Sequence, residues 1–316
     1  MLPGPIPAAS HLDEGAQDDP RPASTAAAIV WRRFLHHPGA VAGLIVLTVL
    51  ALAVVLAPLS PYDPEGSDMA SRLSPPSWDH PMGTDALGRD VLTRVLYGGR
   101  ISLSVGLMVM VITLLIGIPV GAVAGYFGGA VDDLLMRVTD AALSLPALLV
   151  LILLSAFLRE MDLPILGSNS VLTIALVIGA LSWMTVARLV RASYLIIREL
   201  DFITAARCLG APNLRIMLRH ILPNAVGPII VEATLEVGYA IMEESGLSFL
   251  GFGVQPPTPS WGNLLSDAQD HLTRYPWLAI FPGLMIFLAI ISVNYIGDGM
   301  RDAFDPFKVL KKVGEV

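Results

Sequence analysis

Apolar residues in this chain are bunched into blocks separated by polar segments. Uncharged stretches cover approximately residues 40–57, 101–126, 141–158, 171–187 and 277–296. Each is near the roughly 20 residues a helix needs to cross hydrocarbon. A sixth block, about 226–250, is apolar but carries glutamates. Backbone N–H and C=O groups find no water in lipid, so each block must satisfy its own, which a helix does. The pattern predicts an all-α, polytopic membrane protein with about six transmembrane helices.

Between the fourth and fifth blocks lies a polar island at residues 198–223. Asp201 is placed to cap a short helix over 202–209, Gly210 to end it in a left-handed turn, and Pro212 to open a second helix. On that second helix Leu214, Met217, Leu218 and Ile221 fall at i, i+3, i+4 and i+7, one apolar stripe, with Arg215 and Arg219 on another side. Two short helices in an Arg-rich loop read either as a docking surface or as a plain hairpin between spans.

Composition agrees with a membrane protein. Hydrophobic residues make up 54% and charged residues 15% of 316, and mean hydropathy is +0.67, far from a soluble domain. Charge then gives orientation. With the N-terminus inside, only Arg72, Arg89, Arg94, Arg100, Arg159 and Arg274 lie outside, and the other fourteen of the twenty Lys and Arg lie inside. This bias puts both termini and the 198–223 loop in the cytoplasm. The net charge of -7 argues against nucleic acid as a partner.

Residues 1 to about 28, rich in Pro and Asp, hold too little apolar surface to offset ordering entropy, so disorder is expected there. The flank Trp31-Arg32-Arg33-Phe34 reads as a helix at the inner membrane face and His36-His37 as its interfacial border. With nearly forty residues before it, the first span reads as retained rather than cleaved. The division is thus a cytoplasmic segment 1–38, a six-helix domain 39–306 and a cytoplasmic tail 307–316. Cys208 is alone, so no intramolecular disulfide or Cys-based metal site forms, and the six histidines show no i, i+4 pair. No phosphate loop occurs, all three lysines fall in the last nine residues, and no metalloprotease or nucleophile-elbow motif is complete. The chain reads as neither an ATPase nor an enzyme.

Several motifs carry a resemblance. Ala205-Ala206, three residues, Gly210-Ala211, then Leu222-Pro223 resembles the cytoplasmic coupling loop of ABC importer permeases, with Thr204 where that pattern has Glu and His220 where it has Ile. Gly83-Thr84-Asp85-Ala86-Leu87-Gly88-Arg89-Asp90, then Arg94, Gly98, Arg100 and Ser102, resembles the extracytoplasmic signature of the peptide and nickel branch. So do Leu247-Ser248-Phe249-Leu250-Gly251, the run from Pro256 to Gly262, and Gly297-Asp298-Gly299-Met300-Arg301-Asp302 with Asp305-Pro306. On these motifs, which span about Trp31 to Pro306, the chain is identified as a member of the second permease subunit of dipeptide, oligopeptide or nickel importers.

The resemblance implies a multi-pass protein of a prokaryotic inner membrane, embedded in lipid. It implies a second homologous permease, two cytoplasmic ABC ATPases that hold ATP and Mg, and an extracytoplasmic substrate-binding protein; this chain itself holds no cofactor and no metal. Asp201, Thr204, Ala205, Ala206, Gly210, Ala211, Leu222 and Pro223 would form the ATPase-coupling site. Asp85, Arg89 and Asp90 would serve binding-protein docking on the loops 59–100 and 251–276. The transported solute is left open among dipeptide, oligopeptide, nickel and another small solute, and a secondary transporter or channel is the rival class.

Two groups keep alternative readings. Asp85, Asp90 and Arg94 either pair with one another or meet a binding protein, while Val91, Leu92, Val95 and Leu96 give a short helix an apolar side to lay on the membrane. Glu232, Glu236 and Glu243 lie within roughly 40° on one face of the fifth span, with Glu244 pointing elsewhere. Lipid exposure of three carboxylates is too costly. They therefore either pair with a neighbouring helix or line a path for a cationic or amine-bearing solute.

Overall fold

The computed structural model describes residues 26–161 and 171–304. The expectations for residues 1–25, for Asp305-Pro306 and for the tail 307–316 lie outside them. Among the described residues regular structure is helical apart from one bridge between Thr84 and Asp90. In chain order the helices are α1 (Ala26–Leu35), α2 (Pro38–Val55), α3 (Val91–Phe127), α4 (Gly129–Leu143), α5 (Ala147–Glu160), α6 (Val171–Ile197), α7 (Asp201–Cys208), α8 (Asn213–Arg215), α9 (Leu222–Phe249), α10 (Trp261–Ala268) and α11 (Trp277–Phe304). A π-helical stretch, Ile216–Ile221, joins α8 to α9.

Five helices are long and apolar enough to cross a membrane: α2, α3, α6, the continuous rod Asn213–Phe249, and α11. The third apolar block departs from a straight span. It is shared between α4 and α5, which meet at 86° and pass as a span only together. Pro146 causes the break: it has no N–H to continue the ladder, and it drives Leu145 away from helical geometry. With 14 residues α5 reaches only about 21 Å, short of the roughly 30 Å of hydrocarbon.

At 37 residues α3 is about 55 Å long, so its first turns stand outside the lipid. Val91 and Val95 do not lie on the membrane surface as expected. They are buried against Leu264, Ala268 and Leu278. The helix runs unbroken through Gly98 and Gly99 because those positions leave room for the backbone of Ser260 and the ring of Trp261, and the Trp261 indole donates to Val95 O at 2.9 Å.

The centre of the molecule is the α3–α6 pair. Gly117, Gly121 and Gly125 recur every fourth residue on α3, facing Val186, Val190 and Tyr194 of α6. A Cβ at Gly121 would fall 2.3 Å from Ala187 O, so the two backbones meet where only glycine fits. Arg191 makes a bidentate ion pair with Asp132, and Arg188 pairs with Asp140, tying α4 to α6.

At the N-terminal side, His37 accepts from Ala40 N at 3.0 Å and so caps α2, with Pro38 in the first turn. Phe34 of α1 is buried with Ala40 and Ala303, and Trp31 stacks on it with ring centroids 5.7 Å apart. The 31–34 flank thus lies in a helix, which rests on the last turns of α11.

Candidate coupling, docking and path sites

Helix α7 leaves the end of α6 through a turn in which Arg198 donates to Gly125 O at 2.8 Å, satisfying a carbonyl at the end of α3. The capping residue is Leu200, not Asp201, because Ile203 N and Thr204 N already bond to Leu200 O. Asp201 sits instead in the first turn, where its charge favours the positive helix end. Ile203 is buried among Tyr126, Tyr194, Ile216 and Met217, which fixes the hairpin on the ends of α3 and α6. Thr204 and Ala205 face solvent, and Ala206 is half-buried.

Gly210 has φ +77, and the turn closes with Gly210 N to Arg207 O at 2.9 Å and Ala211 N to Ala206 O at 3.1 Å. These two bonds are a Schellman closure, the left-handed ending expected of this glycine.

The second helix does not stand alone. It merges through the π-helical stretch into the fifth span, and Leu222 and Pro223 lie in the first turn of α9. Pro223 cannot donate to the preceding turn and crowds the carbonyl four residues back; the wider π turn just before it relieves both. The same widening overturns the predicted stripe. Leu222 N bonds to Met217 O, five residues back. The buried set is therefore Ile216, Met217 and Ile221, while Leu214 is 66% and Leu218 53% exposed. Leu209, at 88% exposure, and Phe202 are exposed on the same hairpin, as are Arg207, Arg215 and Arg219. Cys208 is also exposed.

At the opposite end Asp85, Arg89 and Asp90 are all buried. Asp85 accepts from Leu87 N at 2.8 Å, Arg89 N at 3.0 Å and Arg89 Nε at 2.7 Å. Asp90 caps α3 by accepting from Thr93 N at 2.7 Å, and its other oxygen lies 3.0 Å from His80 Nδ1. Arg94 stands 3.5 Å from Asp85 and 3.7 Å from Asp267, and Arg89 is 3.8 Å from Asp267. Asp85 and Arg94 are therefore paired, as one reading held, whereas Asp90 pairs with His80. Burial pushes the Asp267 carboxyl up, and Arg94 and Arg89 pull it back.

In α9, Glu236 is buried near Thr113 and Ser182, with no hydrogen bond to its Oε1. Glu232 and Glu243 are half-buried, and the exposed Tyr239 lies between them on the same face. No ion pair among the described residues includes any of the three glutamates. Glu244 points elsewhere, as read, but it has a role the sequence did not reveal. It is fully buried and accepts from Ser102 Oγ at 2.7 Å and Ser248 Oγ at 2.6 Å. Those hydroxyls accept in turn from Trp261 N and Val254 N, so one carboxylate pins the 251–262 loop to α3 and α9. The available signal was the placement of Ser102 and Ser248 inside two motifs.

Among the described residues, a set of apolar spans with an exposed hairpin at one end and a structured loop assembly at the other has the architecture of a membrane transport permease. The chain belongs to the binding-protein-dependent transport system inner membrane components, whose family model matches residues 117–309. Residues 25–76 also match the N-terminal TM domain of oligopeptide transport permease C. A putative peptide permease protein of Brucella suis is 43% identical over 277 residues, covering 87% of this chain and 89% of the relative. The di/tripeptide transport system permease protein DppC of Pseudomonas aeruginosa is 40% identical over 283 residues, covering 87% and 90%. The glutathione transport system permease protein GsiD of Pectobacterium atrosepticum is 40% identical over 278 residues, covering 87% and 89%. In fold, the chain resembles the MetNI methionine ABC transporter in an inward-facing conformation, with TM-score 0.55 and 16% identity over 67% of this chain and 97% of that one. The protein is a multi-pass inner-membrane permease of the ABC importer kind, a transport subunit rather than an enzyme.

Proposed function

We propose that this chain is one of two homologous, non-identical permeases of an ATP-driven importer that carries dipeptides and oligopeptides across the cytoplasmic membrane by alternating access. Both termini and the 198–223 loop face the cytoplasm, where two partner ATPases hold ATP and Mg. An extracytoplasmic binding protein delivers the solute to the loops 59–100 and 251–276, where Asp85, Arg89 and Asp90 support the docking surface. The peptide assignment is supported by relatives named for peptide, di/tripeptide and glutathione transport.

The observation that carries this reading is mechanical. Helix α7, closed by Gly210 and Ala211, is joined through α8 and the π-helical stretch to the rod that crosses the membrane as α9. Thr204, Ala205 and the exposed Leu209 and Leu214 give an ATPase an apolar foothold on this hairpin, and Leu222 and Pro223 carry its displacement into the span. When ATP draws the two ATPases together, the hairpin moves and α9 tilts between inward-open and outward-open states.

The test is uptake by cells deleted for this chain. Loss of radiolabelled dileucine uptake, restored by the chain and accompanied by co-purification of phosphate-loop ATPases, is the expected result. Unchanged dileucine uptake with lost nickel uptake would replace the peptide reading by the nickel one. Transport by the chain alone, without ATPases, would replace the importer with a secondary transporter.

A further inference from the structure

Between the start of α3 and α10 the loop assembly encloses a cavity of about 400 Å³, within the range of small-molecule sites. Three charged side chains are buried in its wall, Arg94, Arg89 and Asp85, so the interior carries two positive charges against one negative. Arg94 is 99% buried in its side chain and Arg89 is 90% buried, whereas Asp267 and Asp270 are exposed at the mouth. The apolar walls come from Leu264 and Leu278.

The guanidinium groups are under-bonded. Among the described residues no side-chain nitrogen of Arg94 makes a hydrogen bond, and Arg89 uses only its Nε, on Asp85. Asp85 accepts two backbone N–H groups on Oδ1 and Arg89 Nε on Oδ2, and Arg94 is ion-paired to the same Oδ2 at 3.5 Å without a hydrogen bond. Asp267, at 3.7 and 3.8 Å from the two arginines, is beyond hydrogen-bond reach of either. Buried donors left without acceptors are costly, and a planar fork of N–H groups matches a carboxylate. Among the described residues the carboxylates at the mouth accept no hydrogen bond, Asp267 being only ion-paired to the two arginines, and they match an ammonium.

We propose that this cavity is a recognition site for small zwitterionic solutes with an apolar side chain, free amino acids or short peptides. The solute carboxylate docks on the outer edge of Arg89 with the Arg94 charge behind it, and its ammonium sits against Asp267 and Asp270. The site lies in the loops of this subunit, apart from the face of α9 that carries the glutamates. It gives the permease a contact with free solute that does not pass through the binding protein. The inference rests on the peptide reading only for the choice of probe.

The experiment is equilibrium binding of radiolabelled dileucine to the full transporter in nanodiscs, without binding protein or nucleotide. Saturable binding is expected. Amidating the C-terminus or acetylating the N-terminus of dileucine should each weaken it by about ten- to a hundredfold, the scale of one charge-assisted hydrogen bond. Asp270→Asn, an exposed change that spares the fold, should narrow the difference between dileucine and its acetylated form. Arg89→Gln should narrow the difference between dileucine and its amide. No saturable binding, or binding indifferent to both end-group changes, overturns the site. That outcome leaves the peptide-importer reading standing, whereas a complete system that binds dileucine at this site but does not take it up counts against the peptide-importer reading alone.

Discussion

The Tyr194 hydroxyl donates to Met217 O at 3.0 Å, across 23 residues, and so ties the end of α6 to the π-helical stretch at the root of the fifth span. Met217 O also accepts from Leu222 N, the five-residue bond of the π turn. The Tyr194 hydroxyl thus shares its acceptor with the π-turn bond, and both residues belong to the cluster that buries Ile203 of α7.

Tyr194→Phe removes the hydroxyl and leaves the ring packing, at a cost of about 1 kcal/mol. The protein should still insert and assemble. The dileucine transported per ATP hydrolysed should fall, because α7 is no longer held in register with the rod. Unchanged stoichiometry in proteoliposomes would separate Tyr194 from coupling.

Gly210 has open space around its missing Cβ, so a substitution there is opposed by torsion rather than by a clash. Gly210→Val places a β-branched residue in the left-handed region at about 1–2 kcal/mol. Uptake should drop strongly with membrane insertion retained. Wild-type uptake by Gly210→Val with its partner ATPases would remove the coupling assignment.

The apolar blocks made five spans legible because a helix in lipid must be long and apolar, and Gly210 was legible because a left-handed helix ending favours glycine. The bend at Pro146 was less so: composition continues smoothly across residues 141–158, and the break depends on one missing N–H. The Leu214 to Ile221 stripe misled because an α period was applied where Pro223 selects a π turn. Glu244 was readable only as a residue off the glutamate face. Its partners Ser102 and the 251–262 loop are distant in sequence, so nothing local announces a buried carboxylate with two serine donors.

Orientation can be read from thiol chemistry. Cys208 is exposed on the hairpin, and Ser77 is exposed on the opposite loops. In intact cells a membrane-impermeant reagent should label a cysteine placed at Ser77 and spare Cys208. Permeabilisation should expose Cys208, and assembly with the ATPases should protect it again. Labelling of Cys208 in intact cells would reverse the topology.

Glu244 offers a structural control. Glu244→Gln keeps size but replaces one of two charge-accepting oxygens with a donor, facing either Ser102 or Ser248, whose single hydrogen already points at it. The 251–262 loop should loosen, read as faster protease cleavage near Gly251, while the hairpin at the other end keeps its protection. Equal loosening at both ends would mean global destabilisation instead.

The glutamate face separates charge recognition from architecture. Glu232 and Glu243 flank the exposed Tyr239, and Glu236 is buried near Thr113 with an unpartnered oxygen. Among the described residues none of them neutralises a basic partner by an ion pair, so Gln at any of the three strands no buried cation there, and assembly should survive. If this face lines the path, Glu232→Gln and Glu243→Gln should depress uptake of dilysine more than of dialanine, and diglutamate least, since only the charge has been removed. The measurement is uptake of the three peptides normalised to assembled complex. An equal loss for all three that tracks reduced assembly would leave the glutamates a structural role and place the path on another face.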